Sequence, residues 1–534
     1  MTEKNSSLST KYVPVILSGL LLGLSLPNSP FLPLGFLAWV WLVPLLLELR
    51  NAVSFRAFFG KTLVALGVAF VTIMFWVTNA TPLGFLIAVL VGIAVYSVPF
   101  LWLFAARRAI GWNSALWTLP VVWTGWEWLF HRSEISLGTI QLAHTQSEFY
   151  WLVQFIDLTG ASGIAFWLVL LNVSIVRAAE KVREEKSQVI ARRGAYLLPV
   201  LLFVLPLVYS AFVFLKPEVE KKQISVLAVQ PDVTPWLEAR LEENAAILGK
   251  IVSLTDRALK AQQPDLIVWV EAAVPFDISR EEVIRKFLGG YVNKWHTPVL
   301  TGIFMSKENE NGLTQADESN LAIYNSAVVL SPEALGTDSI KISDLYGKRR
   351  LIPFVERAPY NEQFPFVKDW IIKVGVRPDL SLGQKANPLP FNIREGETAQ
   401  AGMMICYEQV YGAETAEVVR NGAQFLAAIT NEGWFGSSHG QYQLASFSRL
   451  RNIETRRATI RVGSTGVSWI TDRLGRVTKQ VPAWSEQILT GNIELSDEQT
   501  IYVRYIDYFP KLCAFLSVLL FIAIIGRYFL ITLG

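Results

Sequence analysis

Hydropathy divides this chain sharply and limits the folds open to it. Seven long apolar runs fall within residues 1–215, a polar stretch of about 300 residues follows, and one more apolar run comes last. The runs cover residues 12–26, 31–47, 58–77, 83–106, 112–130, 151–176, 196–215 and 512–533. Most approach the roughly 20 residues that cross a bilayer as an α-helix, although the first two are short and contain Pro14, Pro33 and Pro44. The pattern predicts a polytopic membrane domain of about eight transmembrane helices.

The composition agrees with a membrane protein and excludes some partners. Apolar residues make up 52% of the 534 residues, and the formal net charge is only +3. Because no dense basic block lies outside the short loops, nucleic acid is not an expected partner. The two cysteines, Cys406 and Cys513, lie in a polar and an apolar segment, so two free thiols are predicted. The four histidines lack metal-ligand spacing, and neither a metal nor a cofactor is expected.

The basic residues of the short loops predict the orientation in the membrane. Basic residues collect between runs two and three or at the start of run three, between runs four and five, and between runs six and seven: Arg50, Arg56, Lys61, Arg107, Arg108, Arg177, Lys181, Arg183, Lys186, Arg192 and Arg193. The loops around 78–82 and 131–150 are nearly free of basic residues, with Arg132 as the exception. By the positive-inside rule both termini are cytoplasmic, so the polar stretch faces the other side of the membrane.

The polar stretch is predicted to form one α/β domain. Short apolar segments recur at 224–229, 266–270, 299–304, 327–330, 403–405, 425–429, 458–462, 467–471 and 488–493. Because they do not alternate strictly, they indicate strands covered on both faces, as in layered sandwiches of sheets and helices. Residues 238–260 carry apolar side chains at helical spacing. We therefore expect a membrane domain at 1–215, an extramembrane domain at 216–508 and a last transmembrane helix at 509–534.

Three polar residues stand out beside these predicted strands. Glu271 ends "DLIVWVE", Lys348 stands in the loop "YGKRRLIPFVE", and Cys406 ends "AGMMIC". Singly, each has an ordinary explanation as a solvated edge, a surface charge or a buried structural thiol. Together they supply the nucleophile, the base and the oxyanion-stabilising cation that thiol acyl transfer requires.

These residues also carry a family resemblance. The ordered set "WVEAAVP", "GKRRLIPFVE", "ICYE" and "TNEGWFGSSHGQYQ" resembles the nitrilase superfamily with its Glu-Lys-Cys triad. With seven apolar runs before it and one after it, the chain is similar to the apolipoprotein N-acyltransferases, the membrane branch of that superfamily. The resemblance covers essentially the whole chain and implies an extramembrane nitrilase-like αββα sandwich.

The resemblance implies the last step of bacterial lipoprotein maturation. A phospholipid, usually phosphatidylethanolamine, would donate an acyl chain to the α-amino group of a diacylglyceryl-cysteine at the N-terminus of an apolipoprotein. The protein would be a monomer of the bacterial inner membrane, with its catalytic domain in the periplasm and no cofactor.

The same resemblance assigns roles to residues of this chain. Cys406 would be the nucleophile, Glu271 the general base and Lys348 the group that stabilises the oxyanion, giving a ping-pong mechanism through a thioester. Supporting positions that match the family are Glu356, Tyr407, Glu408, Asn431, Trp434 and Trp236.

Two other functions remain open from the residues alone. A membrane-tethered amidase or nitrilase could use the same triad with water as the acyl acceptor. A transporter or receptor could instead carry a catalytically inert nitrilase-like domain, although binding alone does not need an acid, an amine and a thiol together.

Overall fold

The computed structural model describes residues 8–27, 32–184, 194–217, 221–233, 241–308, 321–333, 336–373, 380–394 and 396–533. The chain divides into two compact units. The first consists of Met1–Pro217, Ser438–Ser446 and Asp507–Gly534, and the second of Glu218–Ser437 and Phe447–Ile506. The inclusion of residues 438–446 in the first unit was not predicted from the sequence.

The first unit is helical. Its helices are α1 (Leu8–Leu24), α2 (Leu42–Arg50), α3 (Phe55–Met74), α4 (Pro82–Ile110), α5 (Trp112–His131), α6 (Ile156–Thr159), α7 (Ser162–Glu184), α8 (Leu197–Leu215) and, late in the chain, α15 (Tyr508–Leu533). Capping residues set several of their ends: the Ser54 hydroxyl accepts from Ala57 N at the start of α3, and Thr81 with Pro82 begins α4.

Five described helical segments are long and apolar enough to cross a membrane: Phe55–Asn79, Pro82–Ile110, Ser162–Arg183, Leu197–Leu215 and Tyr508–Arg527. The predicted number of eight is therefore not confirmed. The first run forms a shorter apolar helix, and the second is divided between a 3₁₀ turn at Gly35–Trp39 and α2. Pro44 occupies the first turn of α2, where its missing N–H needs no helical partner, so the helix can begin just before it.

A buried carboxylate forms hydrogen bonds that hold the segment after α5 in place. Glu127 on α5 is almost fully buried, and its Oε1 accepts hydrogen bonds from Tyr96 Oη at 2.5 Å and Leu142 N at 2.8 Å. Leu142 begins one of two short 3₁₀ turns, Gly138–Ile140 and Leu142–Gln146, whose residues are mostly buried. The acid thus compensates a backbone N–H that α-helical pairing does not satisfy.

The second unit is an α/β sandwich. Its first sheet contains β1 (Gln223–Gln230), β2 (Leu266–Val268), β3 (Val299–Glu308), β4 (Leu321–Pro332), β5 (Ile340–Ile342), β6 (Tyr346–Gly347) and β13 (Gln487–Glu494). Its second sheet contains β7 (Leu389–Asn392), β8 (Thr398–Ile405), β9 (Phe425–Thr430), β10 (Thr459–Gly463), β11 (Ser468–Thr471) and β12 (Val477–Val481). Its helices are α9 (Leu241–Ala258), α10 (Glu282–Trp295), α11 (Pro365–Lys373), α12 (Gly412–Arg420), the C-terminal part of α13 (Gly440–Thr455) and α14 (Ile501–Arg504).

The strand order of each sheet determines which strand ends lie side by side. The first runs β13-β1-β2-β3-β4-β5, with β6 also paired to β4, and the second runs β12-β11-β10-β9-β8-β7. Strands β1, β2 and β3 are parallel, as are β8, β9 and β10. One continuous hydrophobic core contains side chains from both sheets. The predicted two-part fold, helical and α/β, is confirmed, and each of the nine predicted strand segments overlaps an observed strand.

Close packing between α5 and α15 yields a test of the first unit. A Cβ atom at Gly125 would lie 2.7 Å from the backbone N and Cα of Ala514, so Gly125→Val must push the two helices apart. We expect a loss of about 1–3 kcal/mol in stability, measured as a lower melting temperature of the detergent-solubilised protein. Gly67→Val on α3 is the matched control, because no other described residue beyond the neighbouring helical backbone lies within 4 Å of a Cβ placed there. Equal melting temperatures for the two variants would contradict this packing.

Candidate active site

The predicted nucleophile occupies a strained turn at the end of a central strand. Strand β8 ends at Ile405, and Cys406 has a positive φ of 50° and begins a 3₁₀ turn over Cys406–Val410. Non-glycine residues rarely adopt this conformation, and those that do cluster at active sites because the surrounding structure must hold them there. The carbonyl of Cys406 accepts a hydrogen bond from Gln409 Nε2 at 2.8 Å, and the thiol is buried.

The predicted base follows β2 in the first sheet. Glu271 Oε1 accepts from Asn325 Nδ2 at 2.8 Å, and Glu271 Oε2 accepts from the backbone N–H of Asn431 at 2.9 Å. Lys348 Nζ lies 3.3 Å from Oε1. All three partners are donors, which suits an ionised carboxylate because that group can only accept.

A close backbone approach also fixes the position of Glu271. Gly302 on β3 donates its N–H to the carbonyl of Val270, and a Cβ at Gly302 would lie 2.7 Å from the Cα of Glu271. The next residue, Ala272, has a positive φ of 53°. The chain therefore turns sharply where the carboxylate leaves the sheet, and the turn leaves no room for a side chain at 302.

The predicted cation is wholly buried between two carboxylates. Lys348 Nζ lies 2.7 Å from Glu356 Oε1 as well as 3.3 Å from Glu271 Oε1. Burial acts to lower the pKa of Lys348, but the charges of Glu356 and Glu271 outweigh it and hold the pKa well above its ordinary value. Lys348 is therefore a permanent cation at neutral pH.

Electrostatics connect the thiol with the acid and the amine. Burial raises the pKa of the Cys406 thiol, the charge of Glu271 raises it further, and the charge of Lys348 opposes both. The net effect holds the pKa well above the ordinary cysteine value, so the resting thiol stays protonated. Geometry agrees with this coupling: Lys348 contacts Glu271, and the residues next to Lys348 and Cys406, Arg349 and Ile405, bind the same carboxylate of Glu408.

Two predicted supporting residues hold the loops of this site. Glu356 Oε2 accepts from Ile352 N at 2.8 Å, so this carboxylate orients the Lys348 ammonium while closing its own loop. Glu408 Oε1 accepts from Arg349 N at 2.6 Å and its Oε2 from Ile405 N at 2.7 Å. Glu408 therefore joins the lysine loop to the nucleophile turn.

The other predicted supporting residues differ in what the structure shows. Asn431 holds Glu271 through its backbone, and within the described residues its side-chain oxygen has no hydrogen-bond donor. Tyr407 is buried, with its ring 5.5 Å from that of Tyr411. Trp434 is 38% exposed, and its supporting role stays a prediction. Trp236 lies outside the described residues.

Sequence reasoning missed Asn325, which contacts two of the three predicted catalytic residues. Its side chain donates to Glu271, and its backbone carbonyl accepts from Lys348 N at 2.7 Å. The available signal was a polar residue inside the otherwise apolar strand segment "YNSAVVL". An amide in a buried strand needs partners, which marks it as a candidate for a functional site.

Burial of Glu408 predicts a pH-dependent contribution to stability. Burial raises the pKa of Glu408 to about 7, although backbone N–H groups of Ile405 and Arg349 oppose the shift. Between its ordinary pKa and pH 7 the folded state binds the proton more tightly than the unfolded state, so ionisation destabilises the fold as the pH rises. The melting temperature of the wild type should therefore fall relative to that of Glu408→Gln between about pH 5 and about pH 8.

The control for this measurement is Glu397→Gln, because Glu397 forms a partly exposed pair with Lys222 on the same unit. A difference between wild type and Glu408→Gln that is constant with pH, or that resembles the control, would contradict the buried titration.

Two models of known protein families match separate parts of this chain. Residues 18–174 match the family model described as the apolipoprotein N-acyltransferase N-terminal domain, and residues 226–502 match the carbon-nitrogen hydrolase family. Among solved structures, a carbon-nitrogen hydrolase from Helicobacter pylori G27 is 17% identical, with 54% of this chain and 95% of that chain covered and a TM-score of 0.36.

Relatives that match nearly the whole chain identify its family. The apolipoprotein N-acyltransferase of Chlorobaculum tepidum is 34% identical over 523 residues, which cover 95% of this chain and 95% of the relative. The apolipoprotein N-acyltransferase of Geobacter metallireducens is 29% identical over 521 residues, covering 94% and 93% of the two chains. These matches confirm the resemblance predicted from four ordered motifs, and the chain belongs to the apolipoprotein N-acyltransferase family.

Proposed function

We propose that this protein transfers an acyl chain from a phospholipid, in particular phosphatidylethanolamine, to the α-amino group of a diacylglyceryl-cysteine at the N-terminus of an apolipoprotein. The observation that carries the proposal is the convergence of Glu271, Lys348 and the Cys406 turn in a chain of this family. Cys406 is the nucleophile, Glu271 the general base and Lys348 the cation that stabilises the oxyanion.

In the first half-reaction, the sulfur of Cys406 attacks the ester carbonyl carbon of the phospholipid while Glu271 takes the thiol proton. Because the pKa of the Cys406 thiol is raised by burial, proton removal has to accompany the attack. The negative charge that forms on the carbonyl oxygen is stabilised by Lys348 and by backbone N–H groups after Cys406. The ester C–O bond then breaks, Glu271 returns its proton to the leaving oxygen, and a thioester remains.

In the second half-reaction, the lipoprotein amine attacks the thioester. Glu271 takes a proton from the amine, the C–S bond breaks, and the proton returns to the sulfur of Cys406. The amide product leaves with its third acyl chain. Because the lysophospholipid leaves before the amine reacts, the kinetics are ping-pong.

The placement in the cell follows from charge and hydropathy. We place the protein in a bacterial inner membrane as a monomer with both termini in the cytoplasm, with 1–215 and 509–534 as membrane segments and 216–508 as a periplasmic catalytic domain. The support is the bias of basic residues toward alternate loops and the apolar helices found at both ends of the chain. The proposed acyl donor is a membrane lipid and the proposed acyl acceptor is anchored by its lipid chains, which suits an enzyme fixed in the membrane.

Mass spectrometry tests the proposal directly. The purified protein is incubated with phosphatidylethanolamine in mixed micelles, and the peptide containing Cys406 is examined for an added acyl chain. We expect a thioester on Cys406 that a diacylated lipopeptide discharges with formation of a triacylated product. Cys406→Ser is the control for adduct position. Discharge by water alone would favour the amidase alternative, and the absence of any adduct would contradict acyl transfer.

The tight contact at Gly302 tests the role of Glu271 without changing any titratable group. Gly302→Ala must shift the backbone of Glu271, since the new Cβ would lie 2.7 Å from its Cα. A displacement near 1 Å predicts a fall of about 100-fold in the rate of thioester formation. Gly249→Ala on α9 is the control, since a Cβ there would have no contact within 4 Å to described residues outside the adjacent helical backbone. An unchanged rate in folded Gly302→Ala would exclude a precisely placed base.

A further inference from the structure

A buried arginine links the nucleophile and the base without touching either. Arg461 lies on β10 and is fully buried. A charged side chain in the interior of a sheet requires compensation at each of its donors, since an unpaired buried charge is costly. The partners of Arg461 therefore indicate what the charge is for.

One group of contacts leads to the nucleophile. Arg461 Nε donates to Gln409 Oε1 at 2.9 Å, and Gln409 Nε2 donates to the carbonyl of Cys406 at 2.8 Å. Since the backbone of Cys406 has a positive φ, its carbonyl direction has to be held by a partner. The arginine fixes which way the Gln409 amide points, and the amide fixes the turn.

A second group of contacts leads to the base. The Arg461 guanidinium forms an ion pair with Glu432, whose carboxylate is fully buried, and also donates to the carbonyl of Val467. Glu432 directly follows Asn431, whose backbone N–H holds Glu271 Oε2 at 2.9 Å. Fixing Glu432 therefore fixes the peptide that aims Glu271.

We propose that Arg461 is a positioning residue that sets the relative placement of the Cys406 nucleophile and the Glu271 base, with Gln409 and Glu432 as its two intermediaries. The inference rests on the proposed function for the reaction that this positioning serves. The positioning of Cys406 and Glu271 also affects the reactivity of the thiol toward reagents that are not lipids. The planar fork of arginine suits this task because it presents several donors in fixed directions, which a lysine ammonium does not.

The experiment measures the rate at which iodoacetamide alkylates Cys406 in the full-length protein. Sulfur displaces iodide in this reaction and the thiol proton is lost, so a well-placed base accelerates it. A Cys513→Ala background leaves Cys406 as the sole thiol, because the chain has two cysteines. We expect Arg461→Lys to lower the alkylation rate about 100-fold, as for a misplaced reacting pair.

Arg457→Lys is the matched control. Arg457 is equally buried and close in sequence, but its guanidinium donates to the backbone carbonyls of Ala423, Thr455 and Glu498. Both substitutions remove buried hydrogen bonds, so both should lower the melting temperature. Only Arg461→Lys should lower the alkylation rate substantially, and its acyl transfer should show a reduced kcat with little change in KM for the phospholipid.

Gln409→Glu provides a second route if Arg461→Lys does not fold. The new carboxylate can still accept from Arg461 but cannot donate to the Cys406 carbonyl, and losing that one bond predicts a fall of about tenfold. An unchanged or faster alkylation rate in folded Arg461→Lys or Gln409→Glu, or an equal fall in Arg457→Lys, would overturn the inference. If these rate differences appear in a protein that transfers no acyl chain, the proposed function fails and the positioning role stands.

Discussion

The buried ammonium of Lys348 is the interaction on which the site depends. A lone cation cannot remain in a protein interior, and here Glu271 and Glu356 share the compensation. Removing one partner of a buried ion pair costs about 3–5 kcal/mol, because the remaining charge is left without compensation. The same attraction that keeps the lysine charged therefore holds Glu271 beside the ammonium, where the proposed mechanism places the developing negative charge.

The loops around this ammonium are built to keep it there. The backbone N–H of Lys348 donates to Asn325, and its carbonyl accepts from Gly383 N at 2.8 Å. Glu356 is held by the N–H of Ile352, and its backbone carbonyl accepts from Leu380 N at 3.1 Å. Because charged groups and main chain constrain one another, the cation is preorganised, as the proposed stabilisation of an oxyanion requires.

The burial of Cys406 gives the site a thiol that is inert at rest. A permanent thiolate would be open to oxidation and to indiscriminate reaction, since the thiolate is the reactive form. Here burial, and then the negative charge of Glu271, raise the pKa of the thiol and keep the proton on sulfur, while the charge of Lys348 opposes them. In the proposed mechanism, the acid that suppresses ionisation in the resting state is also the group that takes the proton when an ester carbonyl arrives, so reactivity would depend on the substrate.

Much of this site could be predicted because its residues follow local signals. Glu271 ends an apolar segment that contains β2, and Cys406 directly follows β8, so the positions of both residues can be recognised along the chain. Lys348 stands in a loop and was recognised from its motif. Asn325 and Arg461 were missed because each lies inside a strand, where one sequence gives no information about side-chain partners from other strands. In the second apolar run the sequence predicted too much helix. Its composition suggested one transmembrane span over 31–47, but the α-helix begins only at Leu42.

The strand register explains why one arginine can influence two parts of the site that are far apart in the sequence. Arg461 pairs with Ala428 on β9, and Ile429 on that strand pairs with Ile405 on β8, so the three parallel strands deliver Cys406, Asn431 and Arg461 to neighbouring positions. In a parallel sheet these strands come from separate segments of chain, and their relative height is fixed by backbone hydrogen bonds. The side-chain hydrogen bonds of Arg461 to residues beyond the ends of β8 and β9 then adjust positions that the backbone pairing of the sheet has already set. The Cys406 turn and the Asn431 peptide should consequently both move when Arg461 is changed, because one planar guanidinium is hydrogen-bonded to the residues that hold each of them.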